Sequence, residues 1–191
     1  YHLSSRLADM GHKISVITRK SRGEPPQLDN VEIIEVPWLK VPLEFTRSYG
    51  RSALKALIRL HSEHPVDVVH LHCPMVSWND SQFDRCTSEV APIVSSMHGT
   101  WLGERDGLIL AARFGEPAVW SNPNDIAIRF MAGRYSNFER SAIRKSSVVI
   151  PNSEATRLDL ESRYSAPSDW DCEVIHWGID TSLFVPMHPD S

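Results

Sequence analysis

Cysteine is scarce and unpatterned in this chain. Cys73, Cys86 and Cys172 are odd in number, far apart and form no C-x-x-C pair, so neither a disulfide framework nor a zinc ribbon is expected, and a reducing, cytoplasmic setting fits. Long apolar runs are missing too. Stretches such as Leu108–Ala112 and Val148–Ile150 fall far short of the ~20 residues that span a bilayer. Positive charge is not in excess: 20 Lys and Arg stand against 24 Asp and Glu, and their scatter leaves no basic stripe, so nucleic acid is not an expected partner. There is no G-x-S-x-G elbow, no Walker lysine loop and no G-x-G-x-x-G, which removes serine hydrolase, ATPase, kinase and dehydrogenase readings together. An initiator Met and a charged-then-apolar leader are also absent. The chain opens directly in helix-like sequence and reads as cut rather than processed.

What is present is an ordinary globular composition, 41% hydrophobic and 23% charged over 191 residues, enough for one substantial core. His2–Met10 places Leu3, Leu7 and Met10 on one helical face, with Gly11 where a left-handed cap would fall. Lys13–Thr18 and Val31–Val36 alternate as strands do, with a Gly- and Pro-rich loop between them. A helix over Tyr49–His64 stops at Pro65, and Val66–Leu71 reads as a buried strand. Ser81–Val90 reads as helix and Pro92–Met97 as strand. The region Gly99–Gly133 has no strand signal and reads as loops and helices over a functional face. Asn122–Lys145 is helical with Asn124 as a plausible N-cap, followed by a strand at Val148–Ile150, a helix at Glu154–Tyr164 and a strand at Cys172–Ile175. Strands and helices in alternation predict an α/β fold, a doubly wound, Rossmann-like, mostly parallel sheet flanked by helices.

In such a sheet, ligands bind beyond the carboxyl ends of the strands, so residues at each strand tip are candidates. His98-Gly99-Thr100 sets an imidazole at a strand end, where it can hydrogen-bond a sugar hydroxyl or a phosphate oxygen while Gly99 lets the chain pass close to a ligand; an ordinary surface turn is the plainer reading. His70 and His72 share one strand face, a spacing that can hold a metal, but no carboxylate or Cys stands at matching spacing, which favours a packed or substrate-facing pair. Asn152 and Ser153 sit where a strand passes into a helix and suit capping or an anion. Trp177-Gly178-Ile179-Asp180 reads as a turn in which Gly178 supplies an unusual backbone angle and Asp180 bonds back to it.

Taken in order, five segments resemble glycosyltransferase family 4: Leu7–Thr18 (LADMGHKISVIT), Asp67–Pro74 (DVVHLHCP), Pro92–Thr100 (PIVSSMHGT), Phe138–Ser153 (FERSAIRKSSVVIPNS) and Val174–Pro186 (VIHWGIDTSLFVP). In the last, Trp177 stands where the family pattern has Asn, while Gly178, Asp180, Phe184 and Pro186 match. The resemblance implies the N-terminal half of a GT-B fold with its first strand missing: residues 1–186 as the acceptor-side domain, and 187–191 as the start of a linker to a donor-binding domain. It implies a retaining hexosyltransferase that takes a sugar from a nucleotide sugar to a carbohydrate or lipid-linked acceptor, with no metal or other cofactor, and a domain inactive in isolation. It also implies His98 at the transferred sugar or its leaving phosphate. His72, Thr100 and Trp101 would face the acceptor, and Gly99, Asn152, Ser153 and Gly178 would line the substrate cleft. Peripheral contact with a membrane through the aromatic and Arg residues of Gly99–Gly133 is a further expectation. The alternatives are a sugar-nucleotide 2-epimerase of the same fold and a non-catalytic carbohydrate- or partner-binding domain. Without its first strand, the sheet would have unpaired edges.

Overall fold

A computed structural model describes residues 2–25, 27–179, 181 and 184; Asp180, Pro186 and residues 187–191, named above, lie outside the described residues. The elements run α1 (His2–Asp9), β1 (Ile14–Arg19), β2 (Val31–Val36), α2 (Glu44–Glu63), β3 (Val69–Cys73), α3 (Asp80–Glu89), β4 (Ile93–Met97), α4 (Trp101–Arg113), α5 (Ala118–Ser121), α6 (Pro123–Lys145), β5 (Val148–Pro151) and α7 (Glu154–Tyr164). Every strand pair is parallel: β1 with β2, and β3 with β4 with β5. This is the expected α/β class, with one qualification. Among the described residues the sheet is in two pieces, β1-β2 and β3-β4-β5, so β1 and β3 each keep an edge without a strand partner. No described helix is long and apolar enough to cross a membrane.

Local hydrogen bonding explains where the elements depart from expectation. The third strand begins at Val69 rather than Val66, because the Val66 N–H is taken by His61 Nδ1 at 3.1 Å, and ladder bonding opens only with Val69 N–H to the Pro92 carbonyl at 2.9 Å. Strand and helix do not alternate throughout: β1 reaches β2 through a loop. The segment Cys172–Ile175 is no full strand. It makes a single parallel bridge, Val149 to Cys172, and runs on beside β5 with Ile175 N–H on the Pro151 carbonyl at 3.1 Å. Helix α2 starts at Glu44, five residues before the apolar periodicity begins. The cap of α6 is Asn122, not Asn124, since Pro123 suits the first helical position and Asn122 Oδ1 accepts the Asn124 N–H at 2.9 Å. Gly11 does take the left-handed cap, at φ 91°.

The β3-β4-β5 piece buries one face. Val69, Leu71, Cys73, Ile93, Met97 and Val149 join a core cluster with Leu54 and Leu57 of α2, Phe83 and Cys86 of α3, Ala142 and Ile143 of α6 and Leu160 of α7. The alternate residues of β3, His70 and His72, are exposed, so β3 is not buried on both sides as its apolar sequence suggested. A second cluster, Leu43, Trp101, Ile128, Ala132 and Tyr135, joins α4 to α6.

Packing at the start of α2 generates a test. Gly50 lies mid-helix, where Ala would ordinarily add about 1 kcal/mol. A Cβ there would meet Trp78 Cδ1 at 2.9 Å and Nε1 at 3.1 Å, and that indole is fully buried and donates to the Gly50 carbonyl at 2.7 Å. Overpacking of this kind costs about 1–3 kcal/mol. Gly50→Ala is therefore expected to destabilise the chain by roughly 1–2 kcal/mol in urea unfolding; a rise in stability would show that the indole can move.

Candidate functional site

Parallel pairing in register brings the tips of β3, β4 and β5 to one level. The His98 N–H bonds the Cys73 carbonyl at 3.2 Å, the Asn152 N–H bonds the Met97 carbonyl at 3.1 Å, and Asn152 Nδ2 donates to the His98 carbonyl at 3.3 Å. His98 therefore stands half-buried between the two neighbouring strand ends. Its Nε2 lies 2.7 Å from His72 Nδ1, with ring planes 8° apart and centroids 5.0 Å apart, which is an in-plane hydrogen bond rather than a face stack. His72 stacks on His70 at 4.6 Å, and His70 Nε2 meets Ser96 Oγ at 2.7 Å. On its other side, His98 touches the Trp177 ring at 5.3 Å, carried there by the segment that runs beside β5.

Partial burial lowers the pKa of all three imidazoles, and neighbouring rings lower His70 and His72 further. His70 is lowered by burial and then by His98, and His72, packed between the other two, is lowered to about 4 by burial and by both neighbours. An N···N contact of this length needs one donor and one acceptor, so the pair cannot take a proton on both facing nitrogens. His98 Nδ1 is buried and has no partner. Since an orphaned N–H is the rarer burial defect, the proton of His98 belongs on Nε2, donated to His72. Two nitrogens 2.7 Å apart also leave no room for one ion bound to both at about 2.0–2.1 Å each in tetrahedral geometry. Among the described residues, no group of three or more His, Cys, Asp or Glu could hold a metal ion.

Beneath the His98 turn, the first turn of α4 is tied down by side chains from distant elements. Trp101 N–H donates to Glu139 Oε1 at 2.9 Å, Leu102 N–H to the Tyr164 hydroxyl at 3.1 Å, and Gly103 N–H to Thr100 Oγ1 at 2.9 Å. Thr100 Oγ1 in turn donates to Asp159 Oδ2 at 2.6 Å. These are the N–H groups that a helix start would otherwise offer to an anion, and all three are already used. Glu139 is 2% exposed, and burial pushes its carboxyl up to about 8.

The sequence-predicted residues separate into two groups. His72, His98 and Asn152 converge at the strand tips, with Gly99 beside them facing open space. Ser153 caps α7, its Oγ accepting the Thr156 N–H at 3.2 Å. Thr100 is a buried cap rather than an acceptor contact. Trp101 is a core side chain, 3% exposed and edge-on to Tyr135, because the chain enters α4 there instead of looping over a cleft. Gly178 also needs correcting: its φ is not positive, so no unusual angle calls for glycine. Sequence reading missed Glu139, Tyr164 and Asp159, whose one signal was a carboxylate at an apolar-periodic position of α6.

Comparison with known proteins follows this geometry. The model of a family described as Glycosyltransferase Family 4 matches residues 1–183. A solved structure described as sucrose-phosphate synthase from Thermosynechococcus elongatus superposes with a TM-score of 0.62 at 14% identity, covering 92% of this chain and 82% of that one. At that identity, the likeness is one of fold. No curated protein matches the chain significantly.

The shifted titratable groups give stability a pH optimum. The lowered imidazoles contribute fully above the ordinary imidazole pKa of 6.5, and that contribution is lost as pH falls below it, for His72 through about 4. Glu139 acts in the opposite sense: its contribution is full below 4.5 and is lost as pH rises through about 8. Denaturant unfolding from pH 4 to 9 is expected to show a maximum near 6.5. Glu139→Gln should flatten the alkaline limb and His72→Gln the acid limb; a Glu139→Gln curve parallel to the parent above the optimum would refute the Glu139 assignment.

Proposed function

Because the chain belongs to glycosyltransferase family 4, we propose that its strand tips form the acceptor-side wall of a sugar-transfer cleft and that His98 stands at the bond being broken. The donor in this reading is a nucleotide sugar, the transfer is retaining and of hexosyl type, and a second domain closes the cleft over the donor. Residues 1–186 would be the acceptor-side domain and 187–191 the start of the linker. The 191 residues alone would not turn over. The observation that carries the proposal is a neutral imidazole bonded by His72, on a backbone carbonyl bonded by Asn152, at the shared tips of β3, β4 and β5, where an open parallel sheet binds its ligands.

The chemistry asks little else of this wall. As a sugar leaves a diphosphate, positive charge builds at the sugar and negative charge on the phosphate, so positioning and charge stabilisation do most of the work. With its Nε2–H given to His72, a neutral His98 keeps only the Nδ1 lone pair, an acceptor for a sugar hydroxyl and not a donor to a phosphate oxygen. Because the N–H groups of α4 are already taken, the donor phosphates would find their partners elsewhere, in keeping with a donor-binding domain opposite. Gly99, Asn152, Ser153, His72 and Gly178 would line the acceptor side.

The acceptor would be a carbohydrate or a lipid-linked one. Within Gly99–Gly133, Trp101 and Leu108 pack in the second cluster and Arg105 is paired with Asp106. Leu110, Phe114, Trp120 and Phe130 remain exposed, with the Arg129 guanidinium 3.8 Å from the centre of the Trp120 ring. If this face meets lipid, the full-length protein floats with anionic vesicles and Phe114→Ser with Phe130→Ser releases it; no flotation of the parent removes the membrane part of the proposal.

The transfer reading is tested by incubating the full-length protein with nucleotide sugars, with and without acceptors, and weighing the products. An acceptor-dependent mass gain of one sugar is expected, and His98→Ala should cost about 3 kcal/mol, ~150-fold in kcat/KM. An epimerised nucleotide sugar formed without acceptor would replace transferase with epimerase, and full activity in His98→Ala would remove His98 from the site.

A further inference from the structure

A cleft of about 620 Å³ opens between α2 and α3, lined also by residues that follow the carboxyl ends of β2 and β3, with no histidine among its described lining residues. Its floor is the outer face of α2, which presents Arg47, Arg51 and Lys55 one turn apart, and Arg85 of α3 reaches in from the far wall. Trp38 and Phe138 supply apolar walls, and the remaining lining is mostly hydroxyl and amide groups. Among the described residues, no carboxylate lines it.

The surrounding carboxylates do not cancel this charge. Glu44 sits behind Arg47 and Arg51 at 3.5 and 2.7 Å, and Glu89 holds Arg85 at 2.8 Å. The remaining acids of α3, Asp80 and Asp84, are engaged by Arg144 and Lys145. Lys55 makes no ion pair among the described residues. The four cations against Glu44 and Glu89 leave a surplus of two positive charges, the complement of a phosphate monoester dianion. Paired arginines also fit a phosphate better than a lone ammonium does, because their planar donors bind its oxygens two at a time. Trp38 is held in place by its Nε1–H on the Lys20 carbonyl at 2.9 Å, with Arg19 and Lys40 over its ring. With cations already over its ring, it serves the cleft as a fixed apolar wall against which a sugar can rest.

We propose that the cleft between α2 and α3 is a binding site for a phosphate monoester carried on a sugar, held by Arg51, Lys55 and Arg85 with Trp38 against the ring. This site rests on the cleft's own residues and not on the transferase reading.

The experiment is calorimetric titration of the protein with inorganic phosphate, glucose 6-phosphate, glucose and glucuronate. Glucose 6-phosphate is expected to bind more tightly than inorganic phosphate, and neither glucose nor glucuronate comparably. Arg51→Ala with Lys55→Ala should weaken glucose 6-phosphate at least tenfold, while Glu44→Gln, which frees Arg47 and Arg51, should tighten it. Arg59→Ala, on the same helix but paired with Glu63, should leave it unchanged. All four positions are at the surface or half-exposed, and thermal melts confirm that each variant folds. Absence of glucose 6-phosphate binding, glucuronate binding as tightly, or an equal loss in Arg59→Ala would each overturn the proposal. None of these results needs donor turnover, so sugar transfer could stand while this site fell, and the reverse.

Discussion

The carboxyl of Glu139 is the constraint on which the strand-tip region depends. A helix start buried under a sheet must satisfy its leading N–H groups, and in α4 the first is met by Glu139 from α6, the second by Tyr164 from α7 and the third by Thr100. A hydrogen bond between neutral groups contributes about 0.5–1.5 kcal/mol, and a donor left orphaned in the interior costs about 1–3 kcal/mol. The arrangement binds three helices to one turn, the turn that carries His98. Burial opposes the charge that would make these bonds strongest, which is why the carboxyl holds its proton up to about 8.

From that fixed turn, the properties of the histidine cluster follow. The backbone of His98 is pinned to Cys73 on one side and, through its carbonyl, to Asn152 on the other, so its ring can only reach toward β3. There it meets His72, and the rings of β3 stand on the exposed face of a strand whose alternate residues are buried. Three imidazoles so close to one another cannot all be cations. Their neutrality is a consequence of packing and makes the site a donor and acceptor of hydrogen bonds at neutral pH, not a fixed positive charge.

Much of this was legible in the sequence wherever the controlling interaction is local. The end of the first helix at Gly11, the strand Val31–Val36, the helix Glu154–Tyr164 and the strand-end position of His98 and Asn152 all follow from periodicity and turn chemistry. Family 4 membership followed from the order of five short segments rather than from any single one. What could not be read is non-local. The family resemblance placed Thr100 and Trp101 at the acceptor, yet Asp159 and Tyr135, far along the chain, draw them into the interior. Val66 and Val68 looked like strand, but a ring nitrogen of His61 intercepts the backbone first. The Cys172–Ile175 segment has β-forming residues and finds only one bridge.

Helix α2 does the work of joining the two sheet pieces, and this bears on the basic cleft. Leu54 and Leu57 sit in the core cluster beneath β3 and β4, while Ile17 of β1 packs against the same cluster. The Tyr49 hydroxyl donates to the Ile17 carbonyl at 2.6 Å, capping a backbone group of a strand with a free edge. One face of α2 is thus committed to both sheet pieces, which sets the opposite face, and Arg47, Arg51 and Lys55 with it, at a defined angle to α3. Cations placed on a helix that the core cannot release share a fixed backbone, so only their side chains must be ordered when an anion arrives. The same rigidity separates the two chemistries of the domain: neutral hydrogen bonding at the tips of β3, β4 and β5, and surplus positive charge between α2 and α3.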